Sequence, residues 1–334
     1  MTTSPDTPGR ERALRDWLRP RFGEVDLLPA SADASFRRYF RIRRDGESFI
    51  VMDAPPEQED SRRFVDIAGR LAACGVHVPA VLASDAERGF LLLSDLGVTD
   101  YLHALNGDNA DRLFADAIDA LVRMQAGADG GGLPAYDREL LWRELRLFPD
   151  WYLCRHLQVE LDPGEAAALE AVYERLIERA LGQGRVFVHR DYMPRNLMVA
   201  DPNPGVLDFQ DAVIGPVSYD AICLFKDAFV SWPQNRVERW LGEYWREARD
   251  RGLPVPADRD SFRIDLDWMG LQRHLKVLGI FARIRYRDGK PQYLDDAPRF
   301  VGYLLEVLPS YPELSPLQRL LERHVLPVAG EPVG

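Results

Sequence analysis

The sequence predicts an α+β chain of two lobes: a small antiparallel lobe of five strands with one helix over residues 1–96, then a larger, mainly helical lobe over residues 97–334. Three observations carry this expectation. The 334 residues exceed what a single small core needs. Apolar residues make up 46% of the chain and aromatics 10%, enough to build a core and opposed to global disorder. After about Gly97 the hydrophobic pattern also changes, from short runs broken by turns to long stretches at helical spacing.

A polar segment over residues 1–9 precedes an amphipathic helix predicted from about Glu11 to Phe22. Strand-like runs follow: DLLPA, SFRRYFRI, SFIVMDA after the turn signal Asp45-Gly46, HVPAVLAS, and GFLLLSDL after Glu87-Arg88. Between the third and fourth runs, Phe64, Ile67 and Leu71 recur at helix spacing and predict the inserted helix at about 59–73. In the second lobe, helices are predicted at about 99–106, 110–127, 137–157, 164–181, 217–230, 235–251, 259–286, 296–308 and 315–325. A β-rich patch from Arg185 to about Leu207 interrupts them, and ADGGGLP, NPG and LPVPAD read as breaks. A cleft between two such lobes is the expected place for a ligand.

The formal charge of −11 argues against non-specific nucleic-acid binding, which needs basic surface to displace counterions. No stretch approaches the roughly 20 apolar residues of a membrane span, and the polar start lacks the apolar core of a signal peptide. Cys74, Cys154 and Cys223 are an odd set, far apart and in apolar contexts, which reads as reduced and structural. The expectation is a soluble cytoplasmic monomer with a small-molecule substrate and neither nucleic-acid nor membrane partners.

The strongest signal is VFVHRDYMPRNLMV at 186–199, in which two apolar runs flank a polar core. Asp191 and Asn196 have the spacing of the protein-kinase catalytic loop, where the aspartate accepts the proton of the attacking hydroxyl and the asparagine holds a metal ion. Magnesium takes hard oxygen ligands and needs only one or two from the protein beside phosphate oxygens. PGVLDFQDA supplies the second, Asp208, at the end of an apolar run, with Phe209 expected to pack beneath it and Gln210 where the kinase triplet has glycine. A lone His-x-Asp or Asp-Phe is weak evidence; the joint pattern is specific. It predicts a protein-kinase-like fold that uses ATP and Mg2+, with Asp191 as catalytic base and Asn196 and Asp208 as metal ligands. His189 reads as a structural residue beneath the loop. Arg190 and Arg195 read as surface charges, Arg195 alternatively as a phosphate or substrate contact.

At these residues the chain resembles the aminoglycoside phosphotransferase and choline kinase family of small-molecule kinases. The likeness extends through ASADASFRRYFRI, FIVMDAPPEQED, FLLLSDLG, ELRLFPDWY, GVLDFQDAVIGPVSYD and MGLQRHLKVLGIFARI, over about residues 10–325. Within the family these motifs look like the branch that phosphorylates the anomeric hydroxyl of N-acetylmuramate and N-acetylglucosamine in bacterial cell-wall recycling. The resemblance implies transfer of the ATP γ-phosphate to the C1 hydroxyl, giving the α-1-phosphate.

On the nucleotide side, residues 30–40 sit where kinases place a glycine-rich loop but contain no glycine; small residues, with hydroxyls at Ser31 and Ser35, could still meet phosphate. Lysine is absent from the whole first lobe, and Met52-Asp53 stands where the phosphate-binding strand lysine is expected, leaving Arg38 or Arg41 as substitute cations and Glu59 without an evident partner. Ser94, Asp95 and Leu96 are expected to form the adenine-reading hinge that ends at Gly97. On the acceptor side, Glu144, Tyr192, Arg195, Asp211, Arg273 and Lys276 are the candidate contacts. Arg273 and Lys276 share a helix face, and either could meet a lactyl carboxylate. The competing expectations are another small-molecule kinase of the same fold, acting on an aminoglycoside, choline or homoserine, and a nucleotide-binding pseudokinase. The missing lysine favours the pseudokinase; intact Asp191, Asn196 and Asp208 oppose it.

Overall fold

The computed structural model describes residues 7–31 and 36–329. The chain divides into two compact units, one of Met1–Asp100 with Leu197–Gln210, the other of Tyr101–Asn196 with Asp211–Gly334.

In the first unit, helix α1 (Thr7–Phe22) precedes strands β1 (Leu28–Ser31), β2 (Arg38–Arg44) and β3 (Glu47–Asp53), helix α2 (Ser61–Ala73), and strands β4 (Val81–Asp85) and β5 (Phe90–Ser94). The strands form one sheet in the order β1-β2-β3-β5-β4, every pair antiparallel. Strand β5 lies inside the sheet between β3 and β4, and its unbroken apolar run is explained by burial: Phe90 to Leu93 are all buried, so both faces of the strand are covered. Leu14 and Leu18 of α1 join Ile42, Val51, Phe90 and Leu92 in the core beneath the sheet. Helix α2 starts at Asp60, whose side chain accepts the Arg62 N–H, and buries Phe64, Ile67, Ala68 and Leu71 at helical spacing.

Residues 197–210, which a division at 96/97 assigns to the helical lobe, group with this first unit. A short hairpin pairs Leu197–Met198 with Gly205–Val206. Its backbone is tied to the unit at two places: Val199 N–H donates to the Thr99 carbonyl at 2.9 Å and Val206 N–H to the His77 carbonyl at 2.7 Å.

The second unit holds α3 (Tyr101–Ala104), α4 (Ala110–Gly127), α5 (Arg138–Leu145), α6 (Pro163–Leu181), α7 (Tyr219–Phe225), α8 (Gln234–Asp250), α9 (Arg259–Asp288), α10 (Ala297–Val307) and α11 (Ser315–Leu320). A two-stranded sheet of β6 (Arg185–Val188) and β7 (Val213–Pro216) flanks the predicted catalytic segment. Local signals set several boundaries. Asp162 and Glu165 close a capping box at α6 with Pro163 in its first turn, and Asp258 caps α9, whose end at Gly289 has φ 70°. Phe114, Phe225, Trp232 and Trp240 form an aromatic cluster joining α4, α7 and α8.

Several predicted helices differ from those observed; the stretch at 315–325, for instance, is α11 followed by a π-helical segment, Leu321–Val325. The stretch at 137–157 is α5 followed by a separate π-helical segment, Phe148–His156. The break falls where α9 comes closest: a Cβ on Gly279 would lie 2.3 Å from the Leu147 carbonyl carbon. The helix predicted over 217–230 stops at Phe225, and Asp227 then accepts the N–H groups of Phe229 and Val230 in a turn.

Gly279→Ala should therefore destabilise the helical unit by ~1–3 kcal/mol, because backbone rather than a flexible side chain must yield. A melting temperature equal to that of the parent protein would refute the close-approach explanation.

Candidate active site

In the first unit, the β2–β3 register places Arg38 opposite Asp53. Asp53 is fully buried and accepts from Arg10 of α1 (Nε, 3.0 Å) and Arg38 (Nε, 3.1 Å), each arginine adding a second bond through Nη2. The position expected to carry a strand lysine thus carries an anion that organises two guanidinium groups. Glu59, left without a lysine, instead pairs with Arg37 at 3.4 Å. Arg41, the other substitute cation, is engaged with Asp95 at 2.5 and 3.0 Å and also donates to the Gly97 carbonyl. Ser31 ends β1, whereas Ser35 lies outside the described residues.

The predicted hinge is closely bonded. Asp95 accepts from Arg41, from Ser48 Oγ at 2.7 Å and from the Gly97 N–H at 3.0 Å. Gly97 has φ 101°, open to glycine at little strain. Burial pushes the Asp95 carboxyl up, but the hydrogen bonds from Arg41, Ser48 and Gly97 and the Arg41 charge outweigh it and hold the group below the usual carboxylate range. Ser94 pairs with Ala80, its Oγ accepting the Ala80 N–H and its own N–H donating to the Ala80 carbonyl. Leu96 packs against the 197–206 hairpin, where its Cδ1 would lie 2.8 Å from a Cβ on Gly205.

That hairpin leads to Asp208, which adopts a left-handed φ of 61°, unusual for a residue with a side chain. Its Oδ1 accepts from Gln210 Nε2 at 2.8 Å. Phe209 is fully buried against Phe64 of α2, ring centroids 4.8 Å apart. In place of a mobile glycine, Gln210 braces the carboxylate.

In the second unit, β6 delivers the chain into the loop that carries Asp191. Asp220, in the first turn of α7, is fully buried and accepts two successive backbone N–H groups, His189 at 2.7 Å and Arg190 at 3.0 Å. Burial pushes its carboxyl up to about 7, against those two bonds and the Arg273 charge, which pull it down. Between them Arg190 is held at φ 78°. His189 is buried edge-on to Tyr192, and its Nδ1 accepts the Asp191 N–H at 3.3 Å, the support beneath the loop that the sequence suggested. Asn196 donates through Nδ2 to the Asp191 carbonyl at 2.9 Å, which turns its amide oxygen the other way. Asn196 is thus held by the Asp191 carbonyl and Asp208 by the Gln210 amide, and both offer hard oxygen donors of the kind magnesium takes. Among the described residues there is no group of three or more His, Cys, Asp or Glu that could hold a metal by itself.

The acceptor candidates separate. Glu144, Arg273 and Lys276 are buried within the helical unit rather than displayed on a helix face. Lys276 bonds Glu144 at 3.0 Å and Tyr219 Oη at 2.9 Å; Arg273 donates to Cys223 Sγ at 2.9 Å and to the Lys226 carbonyl at 3.2 Å. Each cation that could have met a lactyl carboxylate is thus buried and engaged with groups of the helical unit. Tyr192 is also fully buried, its hydroxyl donating to the Ala117 carbonyl at 2.8 Å, which ties the loop to α4. Arg195 is half-buried with its guanidinium 5.1 Å from the Phe229 ring centroid, and Asp211 is exposed. Sequence reasoning missed Asp220 and treated Arg190 as a surface charge. A signal existed: Asp220 is the one acidic residue in YDAICLF, an otherwise apolar run that buries completely.

These elements define a phosphotransferase. The chain belongs to the phosphotransferase enzyme family APH, whose model matches residues 26–263, and is an ATP-dependent enzyme of that family. It is 56% identical over 93% of its length to the N-acetylmuramate/N-acetylglucosamine kinase of Pseudomonas putida, with 93% of that protein covered. To the enzyme of the same name in Pseudomonas aeruginosa it is 58% identical, covering 90% of each chain. In fold it is similar to the choline kinase LicA of Streptococcus pneumoniae, with TM-score 0.65 at 13% identity over 89% of this chain and 99% of that one. It is also similar to an ADP-bound aminoglycoside phosphotransferase, APH(2'')-Ib, with TM-score 0.59 at 15% identity over 89% of this chain and 97% of that one. No helix among the described residues is long and apolar enough to cross a membrane.

Asp95→Asn should lower stability near neutral pH by ~1–3 kcal/mol, through loss of the charged partner of Arg41. Because the folded carboxyl sits below its unfolded value of about 3.9, its contribution is present above that pH and fades as pH falls through the folded value. Denaturant melts at pH 7 and pH 3 should show the gap between parent and variant shrinking in acid; a gap independent of pH would count against the Asp95 bonds.

Proposed function

We propose that this chain transfers the γ-phosphate of ATP to the C1 hydroxyl of N-acetylmuramate or N-acetylglucosamine, giving the α-1-phosphate, as a cytoplasmic monomer acting in cell-wall recycling. The observation that carries the chemistry is the Asp191 loop, with its backbone held by Asp220 and by the Asn196 amide, which donates to the Asp191 carbonyl. Support for the sugar comes from the two Pseudomonas kinases, which match along nearly the whole chain.

Phosphoryl transfer passes through a loose transition state, so the protein mainly positions reactants and offsets charge. Asp191 orients the anomeric hydroxyl and accepts its proton. Asn196 and Asp208 would hold magnesium, which when bound neutralises charge on the ATP phosphates. Arg38, aligned by buried Asp53, takes the role of the absent strand lysine toward those phosphates. Half-buried Arg195 and exposed Asp211, beside the Asp191 loop and Asp208 in sequence, are the acceptor-side residues we assign to a polar ligand.

Two experiments test this reading. In a panel of N-acetylmuramate, N-acetylglucosamine, kanamycin, choline and homoserine, the amino sugars should drive ATP consumption and lose their reducing end. Preference for another acceptor would overturn the sugar, and acceptor-independent binding without turnover would favour a regulatory nucleotide-binding protein. Asp191→Asn should abolish turnover while ATP binding persists, whereas Arg38→Met should raise the KM for ATP by ~10-fold with a smaller change in kcat, the size expected for one charge-assisted bond. Normal turnover in Asp191→Asn would remove the catalytic assignment.

A further inference from the structure

Arg190, immediately before Asp191, is held at three points. Its N–H donates to Asp220, its carbonyl accepts from Cys223 Sγ at 3.4 Å, and its guanidinium donates to Glu144 at 2.5 Å. It is a non-glycine residue at φ 78°, a conformation that persists only where the surroundings impose it. The third point is the one not explained by backbone support.

Glu144 is 5% exposed and receives four donors: Tyr136 Oη, Arg190 Nη2, Lys276 Nζ at 3.0 Å and Gln272 Nε2 at 3.2 Å. A carboxylate has about four lone-pair sites, so Glu144 has no vacant site for a sugar hydroxyl. Burial raises its carboxyl, but the charges of Lys276 and Arg190 and the bonds from Tyr136 and Lys276 leave it below its ordinary range, so the group is an anion. Lys276 and Gln272 lie on α9 and Glu144 on α5, so two helices fix where the Arg190 guanidinium goes. Without Glu144 the nearest anion along the chain is Asp191, which already attracts the Arg190 charge.

We propose that Glu144 is a positioning residue for the catalytic loop: supported by Lys276, it draws the Arg190 guanidinium away from Asp191 and so leaves the catalytic carboxylate for the acceptor hydroxyl. This rests on the phosphotransfer reading of Asp191 but not on the identity of the sugar. It also reassigns Glu144 from acceptor contact to internal support.

The test is a double-mutant cycle between Glu144→Gln and Arg190→Met, run with whichever acceptor the parent enzyme turns over. Glu144→Gln should lower kcat by ~10–100-fold, as a small misplacement of a reacting group does, with KM for acceptor and ATP within about threefold. In the Arg190→Met background the same change should have almost no effect, because its route is gone. A raised acceptor KM that persists in that background would make Glu144 a substrate contact and overturn the proposal. A lowered melting temperature with unchanged kcat would make it purely structural, with the same consequence. A crystal structure of Glu144→Gln is independent of turnover: a guanidinium turned toward Asp191 supports the inference, and an unchanged Arg190 refutes it even if no acceptor is found.

Discussion

The loop that carries Asp191 depends on a buried carboxyl group that accepts two consecutive backbone N–H groups. Asp220 fixes His189 and Arg190 in succession, and the second of these sits in the left-handed region with its N–H donating to that carboxyl. Everything downstream inherits this geometry. Asp191 follows directly, the Asp191 carbonyl receives the Asn196 amide, and Tyr192 reaches down to α4. A charge in so dry a place is tolerable only with such partners.

The same principle organises the first unit around an inverted charge. A strand lysine would present a cation to phosphate directly; here Asp53 is buried and gathers Arg10 and Arg38 around it. An aspartate at that position cannot touch phosphate favourably, but it can hold a guanidinium whose planar fork suits phosphate oxygens. Arg37 with Glu59 and Arg41 with Asp95 extend the pattern, so the arginine-rich, lysine-free first unit builds its charge pairs from guanidinium groups.

The structural neighbours share this architecture at 13–15% identity, so the fold alone cannot select among choline, aminoglycoside and amino-sugar acceptors. The buried set of Glu144, Lys276, Arg190 and Arg273 bears on that choice by what it withholds. The three charged acceptor candidates Glu144, Lys276 and Arg273, and Arg190, which read as a surface charge, are engaged with one another or with backbone and sulfur. Under the proposed function the acceptor is met by other groups, Arg195 and Asp211 being the remaining candidates.

The sequence by itself determined the five strands and inserted helix of the first unit and most helices of the second, and it singled out Asp191, Asn196 and Asp208 as the candidate set. These are local properties: period of apolar residues, turn chemistry, caps, and a motif whose members lie within twenty residues. It could not place the π-helical segment after α5, because that break answers to α9 passing at Gly279, more than 120 residues away. Nor could it separate a solvated cation from a buried one. Arg273 and Lys276 share a helix face by spacing, and only packing of α5 and α7 against α9 decided that the face points inward. The lone acid in YDAICLF marked Asp220 as unusual, but not its partners: a hydrogen bond across thirty residues leaves no periodic trace, and whether a charge is stabilised depends on partners that only the folded chain assembles.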